Sequence, residues 1–469
     1  MLSGDCNAHT GNRQRLHTAC SVMYAGLSPM TQERIYMRTN NIIIDCFAGG
    51  GGASVGIEMA LGRQVDIAIN HDPRAIVMHK VNHPDTLHLT EDIFAVDLQK
   101  YTQNRHVALM WASPDCRSFS KAKGGQPRSK SVRMLPWAVY KHAKNILPDV
   151  IIMENVEEIQ QWGPLDENGR PIREKEGEEY KKFIKAMCDL GYEFDSRELV
   201  AADYGAPTTR KRWYAIFRRD GNPIIWHTKT HEKASSSPVE RWKSCGQYID
   251  WSDLGKSIFG RSKPLAESTQ KRLLAGIDKF IINNDNPYIV TDKRALDYMK
   301  AHAKVNHNLI SFEDDARAAC FITKYYKTGI GQSLAEPCHT ITTSAGHFGL
   351  VSAFLIKYYG TGGGQGLNEP LATITTKDRF ALVNTIVEYD GQKYIIADVF
   401  LRMLKPEELK LMQGFPEDYI IAVDEHGHSI PKTDQVKRIG NSVVPTMAEA
   451  LVRANCGYLK IGERKAKTA

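Results

Sequence analysis

The chain reads as an α/β protein with a mainly parallel, doubly wound sheet, followed by a smaller, mainly β or irregular region. Three observations predict this. From Asn41 to about Arg219, short apolar runs alternate with helical periodicity, the pattern of strands joined by crossover helices. After about Gly221, proline, serine and lysine become frequent and short β-like pieces replace the periodic helices. The apolar runs of the first region end in chemistry-bearing residues, as strands do at the carboxyl edge where open α/β sheets bind ligands.

In the first unit, Ile42-Ile43-Ile44 is a strand, Asp45-Cys46-Phe47-Ala48 leads into Gly49 to Gly52, and a helix runs through Val55, Ile57, Met59 and Leu61 to stop at Gly62. Val65 to Ile69 is the second strand. It closes in Asn70-His71-Asp72-Pro73, and a helix follows through Ala75, Val77 and Val81. Asp92-Ile93 ends a third unit. Val107 to Trp111 is a buried strand from which Ala112-Ser113-Pro114-Asp115-Cys116 brings a thiol out at the edge. Val150 to Met153 is another, ending directly in Glu154-Asn155-Val156. Pro164 to Glu179 is a surface loop, and Trp213 to Phe217 is a late strand.

An internal repeat lies in the second region. Lys324-Tyr325-Tyr326-Lys327-Thr328-Gly329 is echoed by Lys357-Tyr358-Tyr359-Gly360-Thr361-Gly362, and Thr340-Ile341-Thr342-Thr343 by Thr373-Ile374-Thr375-Thr376. It reads as a duplicated β-hairpin unit, either a surface for a polar polymer or a purely structural duplication. Near the end, Pro406 to Pro416 is a short helix. Gly440-Asn441-Ser442-Val443-Val444-Pro445 opens a last amphipathic helix through Met447, Ala450, Leu451 and Ala454. The expected division is an extension over 1–39, a first domain over 40–222, a second over 223–399, a return to the first over 400–459 and a basic tail over 460–469.

Composition bounds the function. Hydrophobic residues make up 42% and charged residues 25%, the balance of a globular protein. The net charge of +7 permits nucleic-acid binding without proving it. The nine cysteines are irregularly spaced without a Cys-x-x-Cys pair, which argues against a disulfide framework, a zinc ribbon or another metal site and for a reducing cytosol. No apolar stretch spans a bilayer, and the first forty residues lack a secretory core.

The glycine turn carries chemistry. The dinucleotide fingerprint fails in every register, and no Gly-Lys-Ser/Thr follows. What remains is Asp-x-Phe-x-Gly-x-Gly-Gly, with the Asp45 carboxylate at the strand end. That charge disfavours a pyrophosphate and favours an ammonium group, as S-adenosyl-L-methionine carries. Asn70, His71 or Asp72 is placed to meet ribose hydroxyls, and Asp92 with Ile93 an adenine amine. A nucleophilic sulfur at Cys116 beside a carboxyl group at Glu154 is equipment for covalent attack on a ring that is protonated as it is attacked.

Together these residues resemble the DNA (cytosine-5)-methyltransferase family, of the bacterial or phage type. Asp45 to Gly52 is similar to the family's cofactor loop, Ser113-Pro114-Asp115-Cys116 to its nucleophile motif and Glu154-Asn155-Val156 to its Glu-Asn-Val motif. Thr208-Thr209-Arg210-Lys211-Arg212 is similar to Gln-x-Arg-x-Arg, Leu404 to Pro416 to the Gln-Gly-Phe-Pro element, and Gly440 to Val443 to the closing Gly-Asn-Ser-Val. The resemblance implies a Rossmann-like class I methyltransferase domain and a target-recognition domain. It also implies S-adenosyl-L-methionine as cofactor, duplex DNA as partner, a monomer, a cytoplasmic setting and a possible cognate restriction endonuclease.

Further roles follow from the resemblance. Cys116 attacks carbon 6 of a flipped cytosine, Glu154 holds the ring nitrogen and exocyclic amine, Arg212 the base oxygen, and Arg210 supports the nucleophile loop. Asp45, Phe47, Ala48, Gly49, Gly51, Gly52, Asn70, His71, Asp72, Asp92, Ile93, Asn441 and Ser442 face the cofactor. Ser120, Lys121, Lys123 and Arg128 lie in a basic, glycine-rich loop that closes over DNA, and Tyr325, Tyr358, Lys377 and Arg379 belong to the reading surface. The chain departs from the family at Asp115 and Arg117, where Pro and Gln are usual, and at Thr208, where Gln is usual. These departures keep open a catalytically silent DNA-binding protein, and RNA is the other substrate open at this point.

Overall fold

The computed structural model describes residues 41–116, 119, 129–234, 239–304, 316–326, 329–357 and 386–461. Its first sheet is built from β1 (Ile42–Cys46), β2 (Ile67–Ile69), β3 (Leu87–Leu89), β4 (Val107–Ala112), β5 (Val150–Asn155), β6 (Glu193–Val200) and β7 (Lys211–Arg218). Their order is β3-β2-β1-β4-β5-β7-β6. The first five strands run parallel, and β7 runs antiparallel to both neighbours. Every residue of β1, β4 and β5 is buried, as strands covered on both faces must be.

The winding reverses between β1 and β4. The register sets Cys46 beside Ile69 on one side and Ala112 on the other, and Ala112 beside Met153. Each strand of the switch point therefore stops on the same edge. The glycine turn, Asn70, Ser113 and Glu154 follow there.

Helices α1 (Gly52–Leu61), α2 (Pro73–Asn82), α3 (Leu98–Thr102), α4 (Lys130–Arg133), α5 (Leu135–Ile146) and α6 (Glu178–Asp189) connect these strands. Gly62 ends α1 in the left-handed conformation, with φ 69° and its N–H on the Glu58 carbonyl. On one sheet face, Ile44, Met110 and Ile151 pack with Ala138, Val139 and Phe183. On the other, Ile43, Leu109 and Ile152 pack with Ile57, Leu61, Met447 and Leu451. The last two belong to α11 (Pro445–Cys456), so the chain returns from its far end to cover the first sheet.

The small pair β8 (His231–Glu232) and β9 (Glu240–Arg241) precedes a second, six-stranded antiparallel sheet. Its strands are β10 (Lys256–Ser257), β11 (Ala316–Lys324), β12 (Gly331–Ser333), β13 (Phe348–Lys357), β14 (Ile386–Tyr389) and β15 (Gln392–Met403). This region also holds α7 (Glu267–Ile277) and α8 (Lys293–His302), where the sequence suggested only short β-like pieces. Both helices are largely polar, so their apolar stripes are narrow: Leu273 and Ile277 meet the sheet from α7, Ala295 and Met299 from α8. The expected break at 399/400 falls inside β15, because Val399, Phe400 and Leu401 continue the pairing with β13.

Of the internal repeat, the second copy beyond Lys357 lies outside the described residues. Lys324 ends β11 opposite Phe348, whereas Ile356 of β13 pairs with Ala316. The two strands are antiparallel, so Lys324 and Lys357 lie at opposite ends of the strand pair. At the late motifs, α9 (Pro406–Met412) matches the expected short helix, but Gly440 and Asn441 end a further helix, α10 (Lys432–Asn441), rather than opening the last one. Pro445 begins α11, the position that suits its missing N–H. Among the described residues, no helix is long and apolar enough to cross a membrane.

The α1–α11 contact demands a glycine at position 56. A methyl group there would lie 2.3 Å from the Pro445 carbonyl oxygen and 2.6 Å from the Ala448 Cβ. Gly56→Val is therefore expected to destabilise the protein by about 1–3 kcal/mol through overpacking. A urea midpoint equal to that of the parent would show that this contact is not tight.

Candidate active site

At the carboxyl edge of β4, the segment leading to Cys116 is tied down on both sides. The Ser113 N–H donates to the Cys46 carbonyl (3.3 Å), and the Trp111 indole donates to the Ser113 hydroxyl (2.7 Å). Asn155, wholly buried at the end of β5, donates from Nδ2 to the Pro114 carbonyl (2.9 Å) and accepts from the Val156 N–H on Oδ1. This asparagine, quoted in a motif but given no role from sequence, is the support of the nucleophile segment.

Glu154 faces two guanidinium groups. Arg212 Nε lies 3.3 Å from its Oε1 and Arg210 Nη2 lies 3.9 Å away. Arg210 is 5% exposed. Burial, then the neighbouring Arg212, pushes its pKa down to about 10. Its Nη1 donates to the Gly440 carbonyl (3.1 Å), so it braces the late motif beside Glu154; the nucleophile loop it was expected to support lies largely outside the described residues. Glu154 Oε1, Arg212 Nε and Arg210 Nε are buried without a well-formed hydrogen bond. Buried polar groups are ordinarily paired, so unpaired ones of this kind mark a candidate site.

The Cys116 thiol sits in the same field. Burial pushes its pKa up, Arg212 and Arg210 pull it down, and Glu154 and Asp115 raise it. Of the two departures from the family motif beside it, Asp115 is the smallest of these influences and Arg117 lies outside the described residues.

Beside this centre, β1 ends in Asp45, fully buried with Oδ1 unpartnered. Its Oδ2 accepts from the Ser54 hydroxyl at 2.7 Å. Phe47 adopts φ 67°, a left-handed conformation costly for an aromatic residue and concentrated at functional loops. The glycines that follow also admit a close approach by the returning chain. A methyl group on Gly51 would sit 2.1 Å from the Tyr419 hydroxyl, one on Gly52 2.1 Å from the Val443 carbonyl, and one on Gly50 3.0 Å from the Ser442 hydroxyl. The space is filled by the returning chain, and only Gly49, with φ 55°, keeps an open side.

The model of the family described as C-5 cytosine-specific DNA methylase matches residues 42–456. The chain belongs to this family. It is 27% identical over 201 residues to the type II methyltransferase M.AquIA of Picosynechococcus, covering 40% of this chain and 76% of that protein. It is 28% identical over 193 residues to the type II methyltransferase M1.HphI of Haemophilus parahaemolyticus, covering 40% of this chain and 48% of that one, about half its length. The solved structure of a Schizosaccharomyces pombe Dnmt2 methyltransferase covers 88% of this chain and 97% of its own at 14% identity, with a TM-score of 0.45, too loose a likeness to carry an argument.

The methylase's remaining expected site residues separate into groups. Asp72 is engaged within the protein: its Oδ1 caps α2 by accepting from the Arg74 N–H, and its Oδ2 lies 2.7 Å from Arg438. Asn70 accepts the Asp72 N–H on Oδ1, and its amide nitrogen is left for another partner. His71 is exposed beside it. Asp92 accepts from the Phe94 N–H, and the Ile93 carbonyl meets His142 Nε2 at 2.8 Å. Ala48 donates its N–H to the Ile69 carbonyl (3.0 Å). Ser442 donates to the Arg438 carbonyl (2.8 Å), while Asn441 is exposed at the end of α10.

On the expected DNA surface, the Tyr325 hydroxyl is buried and its ring lies under Arg272, so it does not present a polar tip to a groove. Ser120, Lys121, Lys123, Arg128, Tyr358, Lys377 and Arg379 lie outside the described residues. Sequence reasoning missed Tyr419, whose hydroxyl donates to the Gly50 carbonyl (2.8 Å), and Arg438. Neither carries a local signal. Gln413, which donates to the Ser442 carbonyl (3.0 Å), was marked by its Gln-Gly-Phe-Pro setting.

Removing the Asn155 amide leaves the Pro114 carbonyl without its donor. Asn155→Ala is expected to cost about 1–3 kcal/mol, read as a lower urea midpoint, with a larger fall in kcat than rise in KM. An unchanged midpoint would show that the loop is held by other means.

Proposed function

We propose that the protein transfers a methyl group from S-adenosyl-L-methionine to carbon 5 of cytosine in duplex DNA, through a covalent adduct on Cys116. The observation that carries this reading is the Glu154 carboxylate set between Arg212 at 3.3 Å and Arg210 at 3.9 Å, in the electrostatic field of the Cys116 thiol. It is equipment for making an inert ring carbon nucleophilic.

The residues at the strand ends fit a sulfonium cosubstrate. The buried, unpartnered Asp45 Oδ1 suits its ammonium group, Asn70 a ribose hydroxyl, and the Phe47 ring and Asp92 the adenine. When bound, S-adenosyl-L-methionine supplies an electrophilic methyl group. The chain's own residues do the rest. The Cys116 thiolate adds to carbon 6 of the cytosine, and the ring electrons shift toward nitrogen 3 and the base oxygen. Glu154 holds a proton at nitrogen 3 and accepts from the exocyclic amine, while Arg212 donates to the base oxygen. Carbon 5, now enamine-like, takes the methyl group. Loss of its proton to solvent restores the double bond and expels the thiolate.

The target base must leave the stack to meet these groups. The first sheet with its returning segment forms the catalytic part in this reading, and the second sheet region reads the target. The type II names of the relatives support a place in a restriction–modification system.

Transfer of labelled methyl groups to cytosine-containing DNA is the direct test. Cys116→Ser is expected to lower turnover by roughly a thousandfold or more while DNA binding persists. With the parent protein and cosubstrate, a 5-fluorocytosine oligonucleotide is expected to become covalently trapped at Cys116. Near-normal turnover of the variant, or no trapping, would refute the nucleophile.

Because burial raises the thiol, little thiolate exists at neutral pH in the free protein. Alkylation of Cys116 by iodoacetamide, followed site by site by mass spectrometry, is expected to rise about tenfold per pH unit and to keep rising above pH 9.0, the ordinary thiol value. A plateau near neutral pH would mean that the arginines outweigh burial.

A further inference from the structure

Behind the glycine turn lies a line of polar groups that the reaction does not use. From Asp45 Oδ2 the Ser54 hydroxyl is 2.7 Å away, and from that hydroxyl His79 Nε2 is 2.9 Å away. His79 Nδ1 is 2.8 Å from Nε2 of His88, on β3. Asp45, Ser54 and His79 are all 0% exposed, whereas His88 is half-buried and reaches solvent. Four groups from β1, α1, α2 and β3 thus connect a buried carboxylate to the surface without a break.

The hydrogen bonds have a direction. With Asp45 ionised, Ser54 donates to it, His79 Nε2–H donates to Ser54, and His88 Nε2–H donates to the bare His79 Nδ1. With Asp45 protonated, each donor becomes an acceptor. A proton taken up at His88 Nδ1 releases Nε2–H to His79 Nδ1, His79 releases Nε2–H to Ser54, and Ser54 passes its proton to Asp45 Oδ2. One proton enters, each ring exchanges one tautomer for the other, and no imidazolium persists.

We propose that Ser54, His79 and His88 are positioning residues that form a proton wire between solvent and Asp45, and so set the charge Asp45 presents to the cationic cosubstrate. The cosubstrate part rests on the reading given under Proposed function. The surroundings suit the device. Burial, then the nearby His83 and His88, holds His79 far below the usual histidine range, and burial, Lys80 and His83 bring His88 down to about 4. Both rings therefore stay neutral and act by tautomer exchange. Burial raises Asp45 to about 7, opposed by its Ser54 hydrogen bonds, so its charge changes near neutral pH.

The other groups facing the line are few. From α1, Glu58 lies 3.2 Å from His83 Nδ1. From α2, His83 stacks 4.5 Å from the His79 ring, and Lys80 acts on His88. From the returning chain come Tyr419 and Glu425, and from β1 the Cys46 thiol, raised by burial and by Asp45. The Thr86 main chain favours a proton on His88, which biases the line toward the neutral carboxyl.

The sign follows. Below its midpoint Asp45 is neutral and gives up its attraction for an ammonium group, so cosubstrate affinity falls by about tenfold per pH unit well below that midpoint. The decisive experiment uses the free, full-length protein labelled with 15N in its histidine rings and 13C in its aspartate carboxyls, titrated by NMR from about pH 5.5 to 8.5. The wire predicts that His79 Nε2 exchanges a bonded proton for a lone pair, and Nδ1 the reverse, with the same midpoint as Asp45. Fixed tautomers across the Asp45 titration overturn it.

Ser54→Ala is expected to abolish the tautomer exchange and move the Asp45 midpoint upward, and Ser54→Thr to restore both. Persistence of the exchange in Ser54→Ala also overturns the wire. Calorimetry of S-adenosyl-L-methionine over the same range tests the second half. Affinity that ignores pH while the tautomers exchange overturns the link to cosubstrate and leaves the wire standing.

Discussion

The contact on which the rest of this structure depends is the return of the C-terminal segment onto the glycine turn. Tyr419 reaches the Gly50 carbonyl, the Val443 carbonyl occupies the side of Gly52 where a Cβ would stand, and the Gly440 carbonyl holds Arg210. Main chain meets main chain only where side chains are absent, so the glycine run is a docking surface for the protein's own tail end. Arg438 and Asp72 reinforce it with an ion pair across the same joint. Without this closure, the edge holding Cys116 and Glu154 would lack both its cover and the brace of one arginine.

One buried and one partly buried guanidinium facing one carboxylate make an unusual interior. Such charges cost several kcal/mol each to desolvate, and one carboxylate offsets only part of that. The arrangement is eased because Arg210 Nη1 donates to the Gly440 carbonyl and Arg212 Nη1 to the Lys211 carbonyl. The remaining positive field falls on Cys116, where it opposes the effect of burial on the thiol. In the proposed reaction, stability is given up at the place where a negatively charged sulfur has to form.

The sequence made the first sheet legible because its signals are local. Apolar runs such as Val107 to Trp111 and Val150 to Met153 announce buried parallel strands, and residues ending such runs must share an edge. Cys116 and Glu154 came together for that reason, whereas Arg210 and Arg212, at the start of the antiparallel β7, were placed with them by the motif resemblance. The failures are tertiary. Nothing near Asp72 in sequence predicts its ion pair with Arg438. The packing of the glycines against the returning chain left no local signal because those neighbours are more than 300 residues away. The polar helices α7 and α8 left too faint an apolar stripe to be noticed in a region full of proline and lysine. Nothing local marks His79 and His88, since only folding aligns them with Ser54.

The second sheet grips the arginine segment as well. The Thr209 N–H donates to the Cys338 carbonyl (2.9 Å), and the Cys338 N–H donates to the Pro207 carbonyl (2.8 Å), a short parallel bridge beside Arg210. Both bonds are amide to amide, so exchanging the side chains at 208, 209 or 338 leaves them intact. Alanine scanning would pass over this linkage altogether. Proline at 209 or 338, which deletes the donor, is the substitution that unfastens one region from the other.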